Sequence, residues 1–435
     1  MHDTGGDYEK SLDGQSAKCC ENTGGWISNE QHLKDWECQK DPAMALWLKG
    51  GVGVGKSVAL ATLVSGLLSA KKMALYHFCS GGQVKPNEVF ASILHQFLLK
   101  EPDLLSYVYW KYFYGQKFQT LGSALASALS LTRFKEVFII LDALDECDDP
   151  DNSIIKTLSE LTLPENSFLK VLISSRLDKS AIGVYLDSAP IKSKTIELRA
   201  SFVKQDIDTY ITKELKSVLW PSLDNEDISW AGTVIKQKAE NNWLLAHLVV
   251  KDIQDRRGLW TKNRLLHATS KLEAFSGGLY ERYDKILNKI PQDARPDAIK
   301  LFIWLIIAQR SLRIIEASIA LGLNSAHSSL DKLQGDIDRD MGADKLRKLC
   351  GPLIYVDELI GRVTLLHYSV KEYLTDFAHT QPDNWWRIML QDASKPIARD
   401  GITFLSFRQF SSSIPHPQYH YSLYTLLHIP GRIPR

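Results

Sequence analysis

From Ala43 the chain alternates short apolar runs with amphipathic stretches, and that alternation predicts the elements. "AMALWLKG" is apolar and ends on glycine, which predicts a buried strand from Ala43. Further strands are predicted over 73–79 ("MALYHFC"), 136–144 ("EVFIILDAL"), 168–176 ("FLKVLISSR") and 194–198 ("KTIEL"). Helical periodicity falls between them at 87–100, at 121–131, near "SIIKTLSELT" and near "AIGVYLD". Short apolar strands separated by helices specify a parallel sheet covered on both faces. After Ser201 the strand signal fades and amphipathic helices follow one another, from "FVKQDIDTYITKEL" to "PDAIKLFIWLIIAQ". Near 353–366, "PLIYVDELIGRVTLLH" reads as a hairpin, followed by the helix "SVKEYLTDFA"; helices followed by a hairpin suggest a winged-helix module. The expected organisation is a polar lead-in over 1–40, an α/β domain over 41–200, a helical domain over 201–275, a winged-helix domain over 276–380, and a helical tail over 381–435 that begins a second helical domain.

Composition narrows the classes. The 435 residues carry 52 basic and 51 acidic side chains, so no whole-molecule field gathers nucleic acid or an anionic membrane. The most apolar run, "LFIWLIIA", is far shorter than the roughly 20 residues of a membrane span, and the polar first residues contain no signal peptide. The 6 cysteines lack paired CxxC spacing, which favours reduced thiols and a cytoplasmic protein.

The stretch "WLKGGVGVGKSVALATL" carries the first chemistry. It fits GxxxxGK[ST] between a predicted strand and a predicted helix, which is the context that pattern needs. Glycines free the backbone so that successive amides of Gly50, Gly51, Val52, Gly53, Val54, Gly55, Lys56, Ser57 and Val58 can turn toward a phosphate chain. Lys56 supplies charge to the β- and γ-phosphates, Ser57 offers a hydroxyl to Mg²⁺, and the helix turns its positive end toward the anion. A glycine-rich hairpin or linker is the plain alternative.

A second strand, "VFIILDALDECDD", brings Asp142 to a carboxyl strand end, where ligands of open α/β sheets gather. There a carboxylate can hold Mg²⁺ through water. Asp145 and Glu146 stand close enough for one of them to orient or deprotonate an attacking water, while Asp148, Asp149 and Asp151 read as a solvated loop. "VLISSR" delivers Ser174, Ser175 and Arg176 to the same edge. Arg176 is either a γ-phosphate sensor or a strand-end cation paired with the local carboxylates. Trp26 in "TGGWI" is a candidate for stacking on a base, and the choice between adenine and guanine stays open.

The stretch "CCENTGGWISNEQHLKDWECQKDPAMALWLKGGVGVGKSVALATL", with "YHFCS", "DALDEC", "VLISSR", "DIDTYITKEL", "LYERYDKIL", "CGPLIYV" and "VTLLHYSVKEYL", resembles the fungal NACHT-domain proteins. These are STAND-class NTPases that include heterokaryon-incompatibility receptors, and the resemblance spans roughly residues 20 to 410. It implies an α/β P-loop NTPase followed by an all-helical region and a winged helix. It implies phosphate binding by Lys56 and Ser57, magnesium at Asp142, an acidic pair at Asp145 and Glu146, and a sensor at Arg176. It also implies that His367 contacts the β-phosphate of a diphosphate; the residues alone allow a partly buried capping histidine. "MHD" at Met1 to Asp3 matches a switch tripeptide of plant relatives only by accident of position. In "AENNWLLAH", Asn241 and Asn242 stand where such proteins commonly carry glycine and sometimes a proline against the base, which puts base contacts there in doubt. No effector domain fits the lead-in and no repeats follow, so a fragment, a truncated product or an adaptor is expected.

The implied activity is a signalling switch that binds ATP/ADP or GTP/GDP with Mg²⁺, hydrolyses slowly, and controls self-association or contacts with partner signalling proteins. A scaffold that binds nucleotide without turnover is the alternative. A metabolic kinase is disfavoured by the large helical half with no second catalytic cluster. DNA binding is disfavoured by the near-zero net charge and the lack of a basic helix in "SVKEYLTDFA".

Overall fold

The computed structural model of the protein describes residues 7–16, 19, 23–38, 43–79, 84–114, 120–176, 182, 192–198, 200–239, 242–254, 260–273, 278–308, 311–324, 326–338, 340–358, 361–376 and 383–405. The chain divides into two compact units, Met1–Ser276 and Gly277–Arg435.

In the first unit five parallel strands, β1 (Ala43–Lys49), β2 (Met73–Phe78), β3 (Glu136–Asp142), β4 (Phe168–Ser175) and β5 (Lys192–Glu197), form a sheet in the order β2-β3-β4-β1-β5. Alternate residues of β1 to β4 enter two separate cores, while the edge strand β5 contributes Ile196 to the first alone. Leu46, Leu48, Tyr76, Phe78, Phe138, Ile140 and Leu172 face one side. Trp47, Leu75, Val137, Ile139, Leu141, Val171 and Ile173 face the other, against the helices Pro86–Lys100, Leu121–Leu129 and Ser153–Glu160. Burial on both faces is why these strands read as continuous apolar runs. The short helix expected near "AIGVYLD" lies outside the described residues, apart from Ile182.

Two features depart from the sequence reading. The lead-in contains the helices Asp7–Ser16, Gly25–Asn29 and Gln31–Cys38, and its Leu12, Ile27, Leu33 and Trp36 belong to the first of these cores. Trp36 is fully buried, its ring edge-on to Phe138 at 5.4 Å. The helices Ala200–Leu219, Asn225–Ala239, Trp243–Gln254 and Lys262–Glu273 share that core through Ile207, Ile211, Ile235, Leu245 and Val249, so they form one compact unit with the sheet.

The second unit contains a three-stranded antiparallel sheet, β6 (Leu312–Arg313), β7 (Ile354–Asp357) and β8 (Arg362–Leu365), in the order β6-β8-β7. With the helices Arg295–Ile307, Ile314–Gly322 and Ala343–Cys350 it makes a winged helix, and β7 and β8 are the hairpin expected there. The helix Tyr368–Thr375 follows. Among the described residues no helix is long and apolar enough to cross a membrane.

If the lead-in is part of the sheet domain's core, Trp36→Ala should destabilise the first unit by about 3–5 kcal/mol. Denaturant unfolding followed by a probe within that unit checks this; an unchanged midpoint would mean that the lead-in does not support the sheet.

Candidate functional site

Strand order decides which side chains meet. β4 lies between β1 and β3, with Ser175 in register with Lys49 and Ile173 with Leu141. The carboxyl ends of three neighbouring strands therefore carry the glycine-rich turn, then Ser174 to Arg176, then Asp142. Sequence order alone does not reveal that insertion.

The turn runs from β1 into the helix Lys56–Ser69. The amide of Gly50 donates to Ser175 O at 3.2 Å, continuing the ladder one step past β1. Gly53 (φ 72°) and Gly55 (φ 94°) then take left-handed backbone, which glycine adopts without steric cost. The Lys56 ammonium donates to Gly50 O at 2.8 Å and to Gly51 O at 2.9 Å. The amides of Gly51, Val52, Gly53 and Gly55 meet no acceptor among the described residues. A helix start with free amides and an adjacent ammonium has the donor set that a polyphosphate requires.

Burial pushes the Lys56 ammonium below its usual range, opposed chiefly by the carboxylates of Asp142 and Asp145. Asp142 is buried at the tip of β3, and burial pushes its carboxyl up. Hydrogen bonds from Ser174 and Ser57, together with the Lys56 charge, oppose that rise. The Ser174 hydroxyl donates to Asp142 Oδ1 at 2.5 Å and accepts from the Ala143 amide at 2.7 Å, so it sets the carboxylate's orientation. Ser57 and Asp142 thus stand together as a hydroxyl and a carboxylate, the pair that would share Mg²⁺ with a nucleotide. Among the described residues no three His, Cys, Asp or Glu side chains converge as a metal cage.

Arg176 sits with the acidic pair. Its Nε lies 3.4 Å from Asp145 Oδ2, a terminal nitrogen lies 3.8 Å from Glu146 Oε1, and its amide donates to Asp145 Oδ1 at 3.3 Å. Of the two sequence readings, pairing with the local carboxylates describes this geometry. Cys147, next in the chain, donates its thiol to Val84 O at 2.9 Å, and its proximity together with burial pushes the Cys79 thiol, beyond β2, well above its ordinary range. Cys19, Cys38, Cys79, Cys147 and Cys350 are all free thiols.

Trp26 stacks on Phe202, with centroids 5.8 Å apart, so protein covers one face of its ring. Asn241 and the "MHD" tripeptide lie outside the described residues. Asn242 touches the glycine-rich turn rather than standing clear of it. His367 belongs to the second unit, where it caps the helix Tyr368–Thr375: its Nδ1 accepts from the Ser369 amide at 3.1 Å and lies 2.8 Å from the Ser369 hydroxyl. Sequence reasoning passed over Ser174 as an orienting group, and it passed over His77.

Together these features make the fold of a P-loop NTPase: a parallel sheet covered by helices, with a glycine-rich turn on one strand and a carboxylate two strands away. Residues 22–176 match the family model described as Nephrocystin 3, N-terminal, and residues 287–381 match the GPI inositol-deacylase winged helix domain. The first match falls on strands β1 to β4 and the glycine-rich turn, and the second on the winged helix of the second unit. No curated protein matches the chain. Similar solved structures include the Aeropyrum pernix ORC1 protein in complex with DNA, at 12% identity and TM-score 0.36, covering 83% of this chain and 94% of that one. The ADP form of the Aeropyrum pernix ORC2 protein is similar at 12% identity and TM-score 0.38, covering 86% and 92%. Cdc6p from Pyrobaculum aerophilum is similar at 15% identity and TM-score 0.38, covering 81% and 92%. These are distant likenesses.

His77, near the end of β2, yields a pH prediction. Among the described residues neither ring nitrogen has a hydrogen-bond partner, and burial pushes its pKa down to about 4 from 6.5. Between those values the unfolded chain takes up a proton at this position and the folded chain does not. Stability should therefore fall as the pH drops through that window, by up to about 3 kcal/mol, and His77→Phe should remove this increment. Denaturant unfolding at pH 7 and at pH 4.5 measures it; equal pH slopes in both proteins would contradict it.

Proposed function

We propose that the protein is a nucleotide-dependent signalling switch of the NACHT/STAND class. It binds and slowly hydrolyses ATP or GTP with Mg²⁺, and it controls self-association or contacts with partner signalling proteins in cytoplasmic responses of the fungal incompatibility or innate-immunity type. The observation that carries this reading is the convergence of Lys56, Asp142 and the Arg176 ion pairs at neighbouring strand ends.

On this reading the turn amides hold the polyphosphate, and Lys56 leaves the carbonyls of Gly50 and Gly51 for the β- and γ-phosphates. Magnesium, held by Ser57 and Asp142, would neutralise the phosphate oxygens. A γ-phosphate competes for Arg176 and so loosens its hold on Asp145 and Glu146, which frees a carboxylate to orient or deprotonate the attacking water. Sensing and activation of the acidic pair are then one event. His367, whose Nδ1 accepts from the Ser369 amide at its helix cap, acts in the diphosphate state, where its imidazole contacts the β-phosphate. A diphosphate that binds the closed arrangement better than the open one stabilises it by that difference in affinity, and exchange for a triphosphate reverses the bias.

The purified protein should carry a bound diphosphate that is lost in Lys56→Ala. Phosphate release should be slow in the wild type and at least about 100-fold slower in Glu146→Gln. Folded wild-type protein that carries no nucleotide would remove the switch reading. Tight binding with no turnover in either protein would establish the scaffold instead.

A further inference from the structure

The phosphate turn is held from behind by a helix of the region that follows the sheet. The helix Trp243–Gln254 starts directly against it. Asn242 Nδ2 donates to Val52 O at 2.8 Å, while Asn242 Oδ1 accepts from the Leu245 amide at 3.0 Å and so caps that helix. The amides of Trp243 and Leu244 both donate to Gly53 O, at 2.8 and 3.4 Å. The approach is close enough to dictate glycine. A Cβ at Gly53 would lie 2.6 Å from Asn242 Oδ1 and 2.8 Å from Leu244 Cβ, and one at Gly55 would lie 3.0 Å from the Trp243 ring. Trp243 is seated in turn on Tyr210, with centroids 5.4 Å apart.

A turn that directs its amides toward an anion directs its carbonyls away, and those carbonyls need donors. Lys56 supplies Gly50 and Gly51, whereas residues 242–244 supply Val52 and Gly53. The residue at 242 must accept at a helix cap and donate to a carbonyl with one side chain. Aspartate can only accept, and serine caps a helix but is too short to span to Val52.

We propose that Asn242 is a positioning residue for polyphosphate binding, one that fixes the turn through Val52 without touching the nucleotide and ties the turn's shape to the helical region. This rests on the reading of the turn as a polyphosphate site. It differs from a base contact at this position because it acts on the phosphates whatever base they carry.

The test compares wild type, Asn242→Ser and Asn242→Asp as full chains, measuring thermal melting and the Kd values of ATP, GTP and inorganic tripolyphosphate in magnesium buffer. Both variants keep a capping acceptor and lose the donor, and the aspartate serves should the serine chain fold poorly. The expected result is a melting temperature near that of wild type and a rise of about 3- to 10-fold in all three Kd values, the size of one lost hydrogen bond. Unchanged Kd values in a folded variant overturn the proposal. So does weakened nucleotide binding with unchanged tripolyphosphate binding, which would mark a base contact. Wild-type protein that binds none of the three probes overturns the reading of the site itself, and the positioning role with it.

Discussion

The carbonyls of Gly50 to Gly53 point away from where the turn's amides converge and take donors there, and that arrangement organises the site. A backbone segment can concentrate amides on one point only by sending its carbonyls elsewhere, and a buried carbonyl without a partner is costly. Here the donors come from Lys56 within the motif and from residues 242–244, almost 200 positions along the chain. The helical region is therefore part of the construction of the turn proposed to hold phosphate, and both share one compact unit and one apolar core.

The sheet order sets the electrostatics. With β4 between β1 and β3, one strand end places Ser174 beside Asp142 and Arg176 beside Asp145 and Glu146. Three carboxylates gather around two cations, Lys56 and Arg176, with burial working against the charges of Lys56 and Asp142. Such a cluster is held together by its ion pairs and hydrogen bonds, and on the proposed reading a highly charged ligand would redistribute them.

Much of this was legible in the chain. The turn announces itself because glycine, lysine and serine at that spacing between a strand and a helix have few other uses. Asp142 follows from an apolar run that can end only at a sheet edge. The winged helix followed from helices and then a hairpin. The lead-in helices were hidden because Leu12, Ile27, Leu33 and Trp36 are spread over short segments interrupted by glycines, too brief to show a period. Strand order was hidden because parallel strands joined by helices carry no sequence mark of their neighbours. Asn242 looked like a departure from a family pattern, since its two partners, Val52 and Leu245, come together only in the fold. His77 carried one signal that was passed over, a polar residue at an inward position of a strand that is otherwise apolar.

The central claim is that the bend from Gly50 to Ser57 is shaped to hold a polyphosphate against Asp142. Calorimetric titration of the folded chain with magnesium–ATP and magnesium–GTP tests it most directly. Saturable heat with at least one of them, together with a raised Tm at saturation, is the expected result. Neither heat nor a change in Tm with both nucleotides in excess would contradict the claim.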